Sequence, residues 1–290
     1  MGADSRLRAM TLTELVARLR ERLRGQVDSP ALEAELLVAA AAMLPRDRLL
    51  VDGSRAADPA AVARACSFAV RRLAGMPLAL VTGAREFYGR RFVVRPGVLV
   101  PRPETEHLVE AALGAGIDGT LADLGTGSGA LAVTLAAERS ALRCVVALDI
   151  SIRALAIARE NATAHGVIDR VALVQSDSFG AIAPGARFDA IVSNPPYVEP
   201  LDWAALPADV MKFEPWFALT PGNESAAAFR GRLIEQSRAR LKPDGWLGLE
   251  VGAGQAGVAR DQFRAAGFRA VTIVNDLASI GRVVHGRRGA

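Results

Sequence analysis

An apolar strand runs into a glycine-rich turn at Leu121-Ala122-Asp123-Leu124-Gly125-Thr126-Gly127-Ser128-Gly129, and residues that favour a helix follow from Ala130 to Ala137. Glycines let the backbone of such a turn approach a ligand closely, while the first N–H groups of the helix point at it. The next apolar run ends at Asp149, whose carboxylate is placed to accept hydrogen bonds from both hydroxyls of a ribose. The stretch predicts an α/β fold that binds a nucleoside-containing ligand.

The spacing of the glycines narrows the kind of ligand. Dinucleotide-binding enzymes also use a strand, a glycine turn, a helix and a downstream acid. Their fingerprint has two residues between its last two glycines, whereas single residues separate Gly125, Gly127 and Gly129. No phosphate-binding lysine follows the turn, which argues against a nucleoside triphosphate. The turn by itself still leaves a dinucleotide open.

The rest of the chain predicts two domains. Strand and helix patterns alternate from Thr120 onward, which predicts a mostly parallel seven-stranded sheet with helices on both faces. Residues 1–84 show helical spacing of apolar side chains and predict a small N-terminal helical bundle, and a hairpin from Arg85 to Val94 follows it. We therefore expect domains at 1–84 and 85–290. The predicted strands are 120–124, 143–149, 170–175, 187–193, 245–251, 269–274 and 280–286.

Composition fits one soluble enzyme. The chain has 290 residues, 51% of them hydrophobic, which is enough for one large core and a small one. No apolar run reaches the roughly 18 residues of a membrane span, and the segment Met1-Gly2-Ala3-Asp4-Ser5-Arg6 does not begin a signal peptide, so we expect a cytoplasmic protein. Cys66 and Cys144 are expected to be free thiols, and the histidines lack metal-ligand spacing, so no metal is expected.

The charge distribution gives one candidate binding surface. A net charge of +4 with a pI near 9.6 favours a nucleic-acid or ribonucleoprotein neighbour, but the excess is small for a chain of this size and decides little. Basic residues are nevertheless concentrated just before the glycine turn. They are either an ordinary solvated face or a surface that grips a partner, and the cluster consists of Arg85, Arg90, Arg91, Arg95 and Arg102.

A rigid turn follows the predicted strand 187–193 at Asn194-Pro195-Pro196-Tyr197. The side-chain carbonyl of Asn194 and the main-chain carbonyl of Pro195 can each accept one N–H of a planar nitrogen, and the Tyr197 ring can lie against that group. None of these residues titrates near neutral pH, so the turn would position a substrate. Alone, Asn-Pro-Pro is equally typical of an ordinary loop.

Taken together, the glycine turn, Asp149 and the Asn194 turn resemble class I S-adenosylmethionine-dependent methyltransferases that modify a planar nitrogen. Over nearly its whole length the chain more closely resembles the bacterial HemK/PrmC family of protein-(glutamine-N5) methyltransferases, whose members methylate the glutamine of a Gly-Gly-Gln tripeptide in peptide chain release factors. The further motifs that carry this resemblance are Glu33-Ala34-Glu35-Leu36-Leu37, Arg85-Glu86-Phe87-Tyr88-Gly89, Pro101-Arg102-Pro103-Glu104-Thr105-Glu106, Phe213-Glu214-Pro215 and Leu249-Glu250-Val251-Gly252.

The resemblance implies a cofactor and the residues that hold it. Gly125-Thr126-Gly127-Ser128-Gly129 would wrap the methionine and ribose portions of S-adenosylmethionine, which leaves as S-adenosylhomocysteine. Asp149 would hold the ribose hydroxyls, and Asp177-Ser178-Phe179 would border the adenine. Many family members have a tryptophan there, so the stacking partner in this chain is an open point.

The same resemblance implies a substrate site. Asn194, which also borders the cofactor, and Pro195 would bind the glutamine amide, within the turn that includes Pro196, and Tyr197 would pack against it. The expected partner is a release factor, bound by a monomer without stable nucleic-acid or membrane binding. Two further departures from the family pattern are Pro221-Gly222-Asn223-Glu224-Ser225 and the glycine before Arg282.

Two other functions fit parts of the sequence. An enzyme that methylates adenine N6 in DNA or RNA needs the same pair of acceptors and the same ring, although it must extrude its base and usually carries an extra recognition region. A non-catalytic protein that binds the release factor or the ribosome would retain only a vestigial pocket. Transfer of a labelled methyl group to protein, to nucleic acid or to neither distinguishes the three.

Overall fold

The computed structural model describes residues 10–289 and divides the chain into two compact units, one ending at Gly83 and the other beginning at Ala84. Residues 1–9 and 290, which belong to the ends of the two predicted domains and include the segment expected not to be a signal peptide, lie outside the described residues. Every helix between residues 10 and 289 is too short or too polar to cross a membrane.

The first unit is helical. Its first helix begins with a reciprocal cap, because the Thr11 hydroxyl accepts the N–H of Glu14 at 3.2 Å while the Glu14 carboxylate accepts the N–H of Thr11 at 2.8 Å. Prolines occupy the first position of the second and fourth helices, where a missing N–H costs no hydrogen bond. The helices are α1 (Leu12–Leu23), α2 (Pro30–Ala42), α3 (Arg46–Val51), α4 (Pro59–Leu73) and α5 (Leu78–Thr82).

Leucines spaced four residues apart on α1 form the centre of this unit. Leu15, Leu19 and Leu23 are fully buried against the apolar α2, and burial of each contributes about 1.5–3 kcal/mol relative to an exposed position. Two glutamates of the Glu33-Ala34-Glu35-Leu36-Leu37 motif form ion pairs within the unit: Glu33 pairs with Arg72 at 2.6 Å, and Glu35 pairs with Arg46 at 2.7 Å. The motif therefore fastens α2 to α4 and α3.

The second unit contains a hairpin and a seven-stranded sheet. Its strands are β1 (Ala84–Phe87), β2 (Arg90–Val93), β3 (Gly119–Leu124), β4 (Leu142–Asp149), β5 (Val171–Gln175), β6 (Phe188–Ser193), β7 (Leu241–Glu250), β8 (Phe268–Asn275) and β9 (Gly281–Arg288). Its helices are α6 (Glu106–Gly114), α7 (Ala130–Glu138), α8 (Ile152–Ala164), α9 (Ala208–Phe213), α10 (Trp216–Leu219), α11 (Ala226–Arg240) and α12 (Ala256–Ala265), with 3-10 turns at Pro103–Thr105, Ile168–Arg170 and Pro200–Ala205.

The sheet has the order β5-β4-β3-β6-β7-β9-β8. Neighbouring strands from β5 to β7 are parallel, and β9 runs antiparallel to both β7 and β8. The predicted fold, a mostly parallel seven-stranded sheet of the class I methyltransferase type, is confirmed. Because β3 lies between β4 and β6, the strand order reverses there, and in open α/β sheets the crevice at the carboxyl ends of such strands is where ligands bind.

Helices cover both faces of this sheet and form two separate cores. One core joins Leu121 of β3 to apolar side chains of α6 and α7, while the other joins Ile191 of β6 to apolar side chains of α11 and α12. Alternate residues of the central strands contribute to opposite faces, as the geometry of a strand requires. The rigid sheet between these cores holds the strand ends in place.

The predicted hairpin is present as β1 and β2, joined by Tyr88 and Gly89 with φ of +50° and +68°. Positive φ at both central residues is the conformation that twists a two-residue hairpin correctly. The basic cluster around it is not one continuous cationic surface, because three of its arginines pair with acids of the same unit. Those ion pairs, each of 2.6 Å, are Arg90–Glu138, Arg95–Glu160 and Arg102–Glu214.

Candidate functional site

A cavity of about 330 Å³ lies at the carboxyl ends of the parallel strands. This volume is in the range of small-molecule sites, which is about 300–1,000 Å³. Its walls consist of residues 97–99, 124, 125, 127, 148–150, 154, 176–178, 193–196, 216–218, 220–222, 229 and 233. The cavity therefore brings the glycine turn, Asp149 and the Asn194 turn, which are far apart in the sequence, onto one surface.

The glycine turn shapes the wall of the cavity with its backbone. Gly125, Gly127 and Gly129 have φ of +72°, +57° and +82°, a region that side-chain-bearing residues rarely adopt. A Cβ at Gly125 would meet no protein atom within 4 Å, whereas one at Gly129 would lie 3.0 Å from Cβ of Ala158 on α8. The first two glycines thus expose backbone to a ligand, and the third allows α7 and α8 to pack closely.

The two hydroxyl residues of the turn lie behind this wall. The Thr126 hydroxyl donates to Asp123 Oδ2 at 2.6 Å, and Asp123 Oδ2 also accepts the N–H of Ala132 at 3.2 Å. The Ser128 carbonyl accepts the Asn161 Nδ2 amide at 2.8 Å. Complete burial raises the pKa of Asp123 from 3.8 to about 7, so its carboxyl is a structural anchor of the turn and is largely protonated below neutral pH.

Asp149 is held ready for a ligand by backbone groups. Its Oδ2 accepts the N–H of Gly127 and its Oδ1 accepts the N–H of Ser151, both at 2.8 Å. Burial raises the pKa of Asp149, and these N–H groups act in the opposite direction. Each carboxylate oxygen keeps a further lone pair, so two hydroxyls of a ligand could be bound at once.

Asn194 contributes to the cavity wall and carries a side-chain acceptor that is held in place. Asn194 Nδ2 donates to the Thr105 hydroxyl at 3.1 Å, which leaves the carbonyl Oδ1 free to accept. That Oδ1 is buried and has no hydrogen-bond partner among residues 10–289, although buried polar atoms are normally paired. The base of the turn is fixed as well, because the Ser193 hydroxyl donates to the Leu124 carbonyl at 2.7 Å. The arrangement leaves an acceptor that a donor from outside the chain can satisfy.

Pro195 and Pro196 line the cavity beside Asn194, but Tyr197 does not. The Tyr197 ring packs against the backbone of Gly252, where a Cβ would come within 3.2 Å of ring atom Cδ2. Burial, together with the nearby Glu250 carboxylate, raises the pKa of Tyr197 to about 12, so its hydroxyl stays protonated. In this structure Tyr197 supports the turn from behind.

Of the three residues 177–179 that follow β5, two line the cavity and one does not. Asp177 and Ser178 line the cavity, and Ser178 has a φ of +47° that turns the chain there. Phe179 faces the core instead, with its ring 6.1 Å from that of Phe188 and below the Arg240 guanidinium. The left-handed turn at Ser178 directs the following side chain inward, so Phe179 is not part of the wall.

Several wall residues were not predicted from the sequence. Residues 97–99 form one side, and Trp216, Phe217 and Phe229 supply aromatic surface. The first group gives no sequence signal because it is irregular backbone. Trp216 and Phe217 belong to α10, and their half-exposed position, which marks them as candidates for ligand contact, is evident only from the structure.

The charged and polar groups of the cavity wall fit S-adenosylmethionine. Asp149 and Asp177 are the charged side chains among the described wall residues, and none of the wall residues is cationic. The wall offers no cationic side chain to a phosphate, and its two carboxylates suit a nucleoside that carries a positive charge. The Asp149 acceptors and the exposed backbone of Gly125 suit the ribose and an attached amino-acid chain.

Comparisons with known proteins agree with this assignment of the fold. The model of the methyltransferase small domain matches residues 103–212, and that of the PrmC N-terminal domain matches residues 14–83. A release factor glutamine methyltransferase of Burkholderia pseudomallei is 44% identical over 267 residues, which cover 89% of this chain and 92% of the relative. One of Nitratidesulfovibrio vulgaris is 38% identical over 286 residues, which cover 96% and 95%. A solved methyltransferase of Pyrococcus furiosus has a TM-score of 0.52 at 18% identity, covering 70% of this chain and 91% of that one, which is a likeness of fold.

Proposed function

We propose that the chain, which belongs to the family of release factor glutamine methyltransferases, methylates peptide chain release factors. The methyl group is transferred to the side-chain amide nitrogen of the glutamine in their Gly-Gly-Gln tripeptide. The protein is an S-adenosylmethionine-dependent enzyme. The observation that carries the choice of substrate is the buried and unpartnered Oδ1 of Asn194 on the cavity wall. A primary amide offers the N–H that this atom lacks.

Residues of the glycine turn and of the next two strand ends would hold the cofactor. Asp149 would accept the ribose hydroxyls, Gly125 and Gly127 would lie along the methionine portion, and Asp177 with Ser178 would border the adenine. Phe229 of α11, which lines the cavity and shares a core cluster with Phe179, supplies the aromatic contact that a tryptophan gives in many family members. When bound, S-adenosylmethionine supplies a methyl group activated by its sulfonium charge.

The Asn194 turn orients and polarises the glutamine. An amide nitrogen is a poor nucleophile because its lone pair is delocalised into the carbonyl. Acceptance of its two N–H groups by Asn194 Oδ1 and the Pro195 carbonyl concentrates electron density on nitrogen and fixes its direction of attack. Both acceptors are neutral, so they gain strength as positive charge develops on the nitrogen. The nitrogen gains its bond to the methyl group as the bond between methyl and sulfur breaks, and it then releases one proton to solvent. Pro196 and Tyr197 hold the turn in shape.

We propose a division of labour between the domains at 1–84 and 85–290. A tripeptide offers few atoms for selection, so the helical domain would bind the release factor away from the reacting glutamine. Glu33 and Glu35 are engaged within that unit, so recognition would use other side chains. The enzyme would act as a monomer in the cytoplasm, where translation ends, without stable nucleic-acid binding.

The test uses isotopically labelled S-adenosylmethionine and three acceptors. These are an intact release factor, the same factor with the tripeptide glutamine changed to asparagine, and DNA or RNA that contains unpaired adenine. The proposal expects label on the first acceptor only, with mass spectrometry locating it on the glutamine. Label on nucleic acid would establish the adenine-N6 alternative, and cofactor binding without any transfer would indicate a non-catalytic protein.

A further inference from the structure

We infer that Thr105 and Glu250 are positioning residues that set the orientation of the Asn194 amide. The inference deepens the proposed function and rests on it, because it concerns the acceptor that would hold the substrate nitrogen. Neither side chain lines the cavity, and both are buried. Asn194, Thr105 and Glu250 form a hydrogen-bonded relay, which runs from the Asn194 amide through the Thr105 hydroxyl to the Glu250 carboxylate.

The first link joins Asn194 to Thr105. Asn194 Nδ2 lies 3.1 Å from the Thr105 hydroxyl oxygen, and Thr105 is only 5% exposed. The Thr105 hydroxyl in turn interacts with the Glu250 carboxylate, which is 2% exposed, and this interaction lowers the pKa of Glu250, whose Oε2 has no other partner among the described residues. A hydroxyl has a single proton to donate. With that proton directed at Glu250, the oxygen faces Asn194 as an acceptor and can be satisfied only by the amide NH₂.

The consequence for Asn194 is a single allowed orientation. Rotation of the amide by half a turn would place Oδ1 against the lone pairs of the Thr105 oxygen and direct the NH₂ group at the substrate. An acceptor would then face an acceptor at Thr105, and a donor would face a donor at the substrate N–H, so neither contact could form a hydrogen bond. The relay therefore ensures that a carbonyl faces the cavity, which is what a substrate N–H requires.

Sheet register brings the relay together. β6 and β7 are parallel, and Ser193 is the partner of Leu249. The residues that follow them, Asn194 and Glu250, therefore lie side by side at the same edge of the sheet. The 3-10 turn Pro103–Thr105 places the hydroxyl between them. This juxtaposition combines three segments of the chain that are separated by some fifty to ninety residues in the sequence.

Other charged groups near Glu250 do not replace Thr105. Arg282 pairs with Asp276 at 2.8 Å, and Arg102 pairs with Glu214. Burial raises the pKa of Glu250 to about 7; Glu104 acts in the same direction, while Thr105 and the two arginines act against the shift. Among the described residues, Thr105 is the group that donates a side-chain hydrogen bond to this carboxylate.

The decisive variants are Thr105→Val and Thr105→Ser. Valine keeps the shape and removes the hydroxyl, whereas serine keeps the hydroxyl and loses a methyl group. We expect Thr105→Val to lower kcat for methyl transfer to the Gly-Gly-Gln substrate by roughly 10- to 100-fold, since a buried amide is left unpaired and misdirected. The Kd for S-adenosylmethionine, measured by calorimetry, should change less than about 3-fold because the Thr105 side chain does not line the cavity. Thr105→Ser should recover most of the rate.

A second pair of variants tests the far end of the relay. Glu250→Gln keeps a carbonyl that can accept from Thr105, and Glu250→Met removes it at similar volume, so only the methionine variant should lose kcat by a comparable factor. Thermal unfolding of all four proteins shows whether each is folded.

A readout independent of activity completes the test. In ¹⁵N-labelled protein the Asn194 side-chain NH₂ signals, assigned by their absence in Asn194→Ala, should shift and exchange faster with solvent in Thr105→Val but not in Thr105→Ser. A Thr105→Val protein with parental kcat and parental NH₂ signals would overturn the inference, as would equal losses in the valine and serine variants. A parent enzyme that leaves the glutamine unmethylated would refute the proposed function instead, and the NMR comparison would still decide the relay.

Discussion

Replacement of Asp149 by alanine is expected to weaken cofactor binding without unfolding the protein. In the structure its two carboxylate oxygens each accept one backbone N–H, from Gly127 and Ser151, at 2.8 Å. The remaining lone pairs face the cavity, where the two hydroxyls of a ribose would meet them. Alanine therefore removes the ligand contacts and, at the same time, an anchor of the glycine turn.

The magnitude follows from the charge on the acceptor. A hydrogen bond to a charged group contributes about 1.5–3 kcal/mol, which corresponds to roughly a 10- to 150-fold increase in Kd for S-adenosylmethionine. Asp149→Asn should give the lower part of this range. It keeps the shape and one acceptor, but it has lost the charge, and its NH₂ group faces a backbone N–H.

Isothermal titration calorimetry with S-adenosylmethionine and S-adenosylhomocysteine measures both variants. Asp118→Ala is a matched control, since Asp118 is an exposed aspartate outside the cavity wall. A cofactor analogue without ribose hydroxyls closes a thermodynamic cycle, and Asp149→Ala should cost that analogue little. An unchanged Kd in folded Asp149→Ala, or an equal loss with the analogue, would remove the ribose contact from our account.

Four further results are expected. Asn194→Ala should lower the single-turnover rate of methyl transfer by at least about 100-fold with near-parental cofactor binding, because an aligned acceptor is lost; an unchanged rate would make the turn merely structural. Gly252→Ala should displace the Tyr197 ring, because the new Cβ would lie 3.2 Å from its Cδ2. We expect a larger loss of kcat than of cofactor affinity, and equal losses of both would contradict this. Arg91→Glu, at an exposed position, should reduce kcat/KM on an intact release factor more than on a Gly-Gly-Gln peptide, and comparable losses would end its recognition role. Burial raises the pKa of Asp123 from 3.8 to about 7, so between these pH values the folded state holds a proton that the unfolded state releases. The free energy of unfolding should therefore fall as pH rises from about 4 to 7. Thermal unfolding of Asp123→Asn should show a shallower fall of stability with pH than the parent.

The positions of β3, β4, β5 and β6 were predictable because each contains an apolar run bounded by turn residues. The glycine turn, Asp149 and Asn194 were also predictable as one group, since carboxyl ends of parallel strands meet at the same edge. The start of β7 was not: it begins at Leu241 and continues through Pro243 and Gly245, residues that ordinarily interrupt a strand. Its pairing with β6 shifts register between Phe188 and Ala190, which is how the sheet accommodates them.

The remaining features of the cavity depend on long-range contacts that leave no local pattern. Residues 200–219 form short helical segments without a sustained period, so the aromatic wall at Trp216 was not apparent. The family resemblance implies that Phe179, which comes after the third strand of the sheet, borders the adenine; in the structure Ser178 has a positive φ and Phe179 lies in the core. Such a reversal depends on one backbone angle, which the sequence alone does not determine.

The relay also explains why asparagine, and not aspartate, suits position 194. An aspartate in place of Asn194 would leave the single proton of the Thr105 hydroxyl between two carboxylates, that of the new aspartate and that of Glu250. Burial already raises the pKa of Glu250 to about 7. Two acids that share one buried hydroxyl cannot both ionise without a large cost, so one would hold a proton and direct an O–H into the cavity or at Thr105. The amide avoids this conflict because it donates to Thr105 through one atom and offers a neutral acceptor through the other. A neutral amide also takes up no proton itself, so it offers the same donor and the same acceptor on both sides of the pH range in which Glu250 titrates.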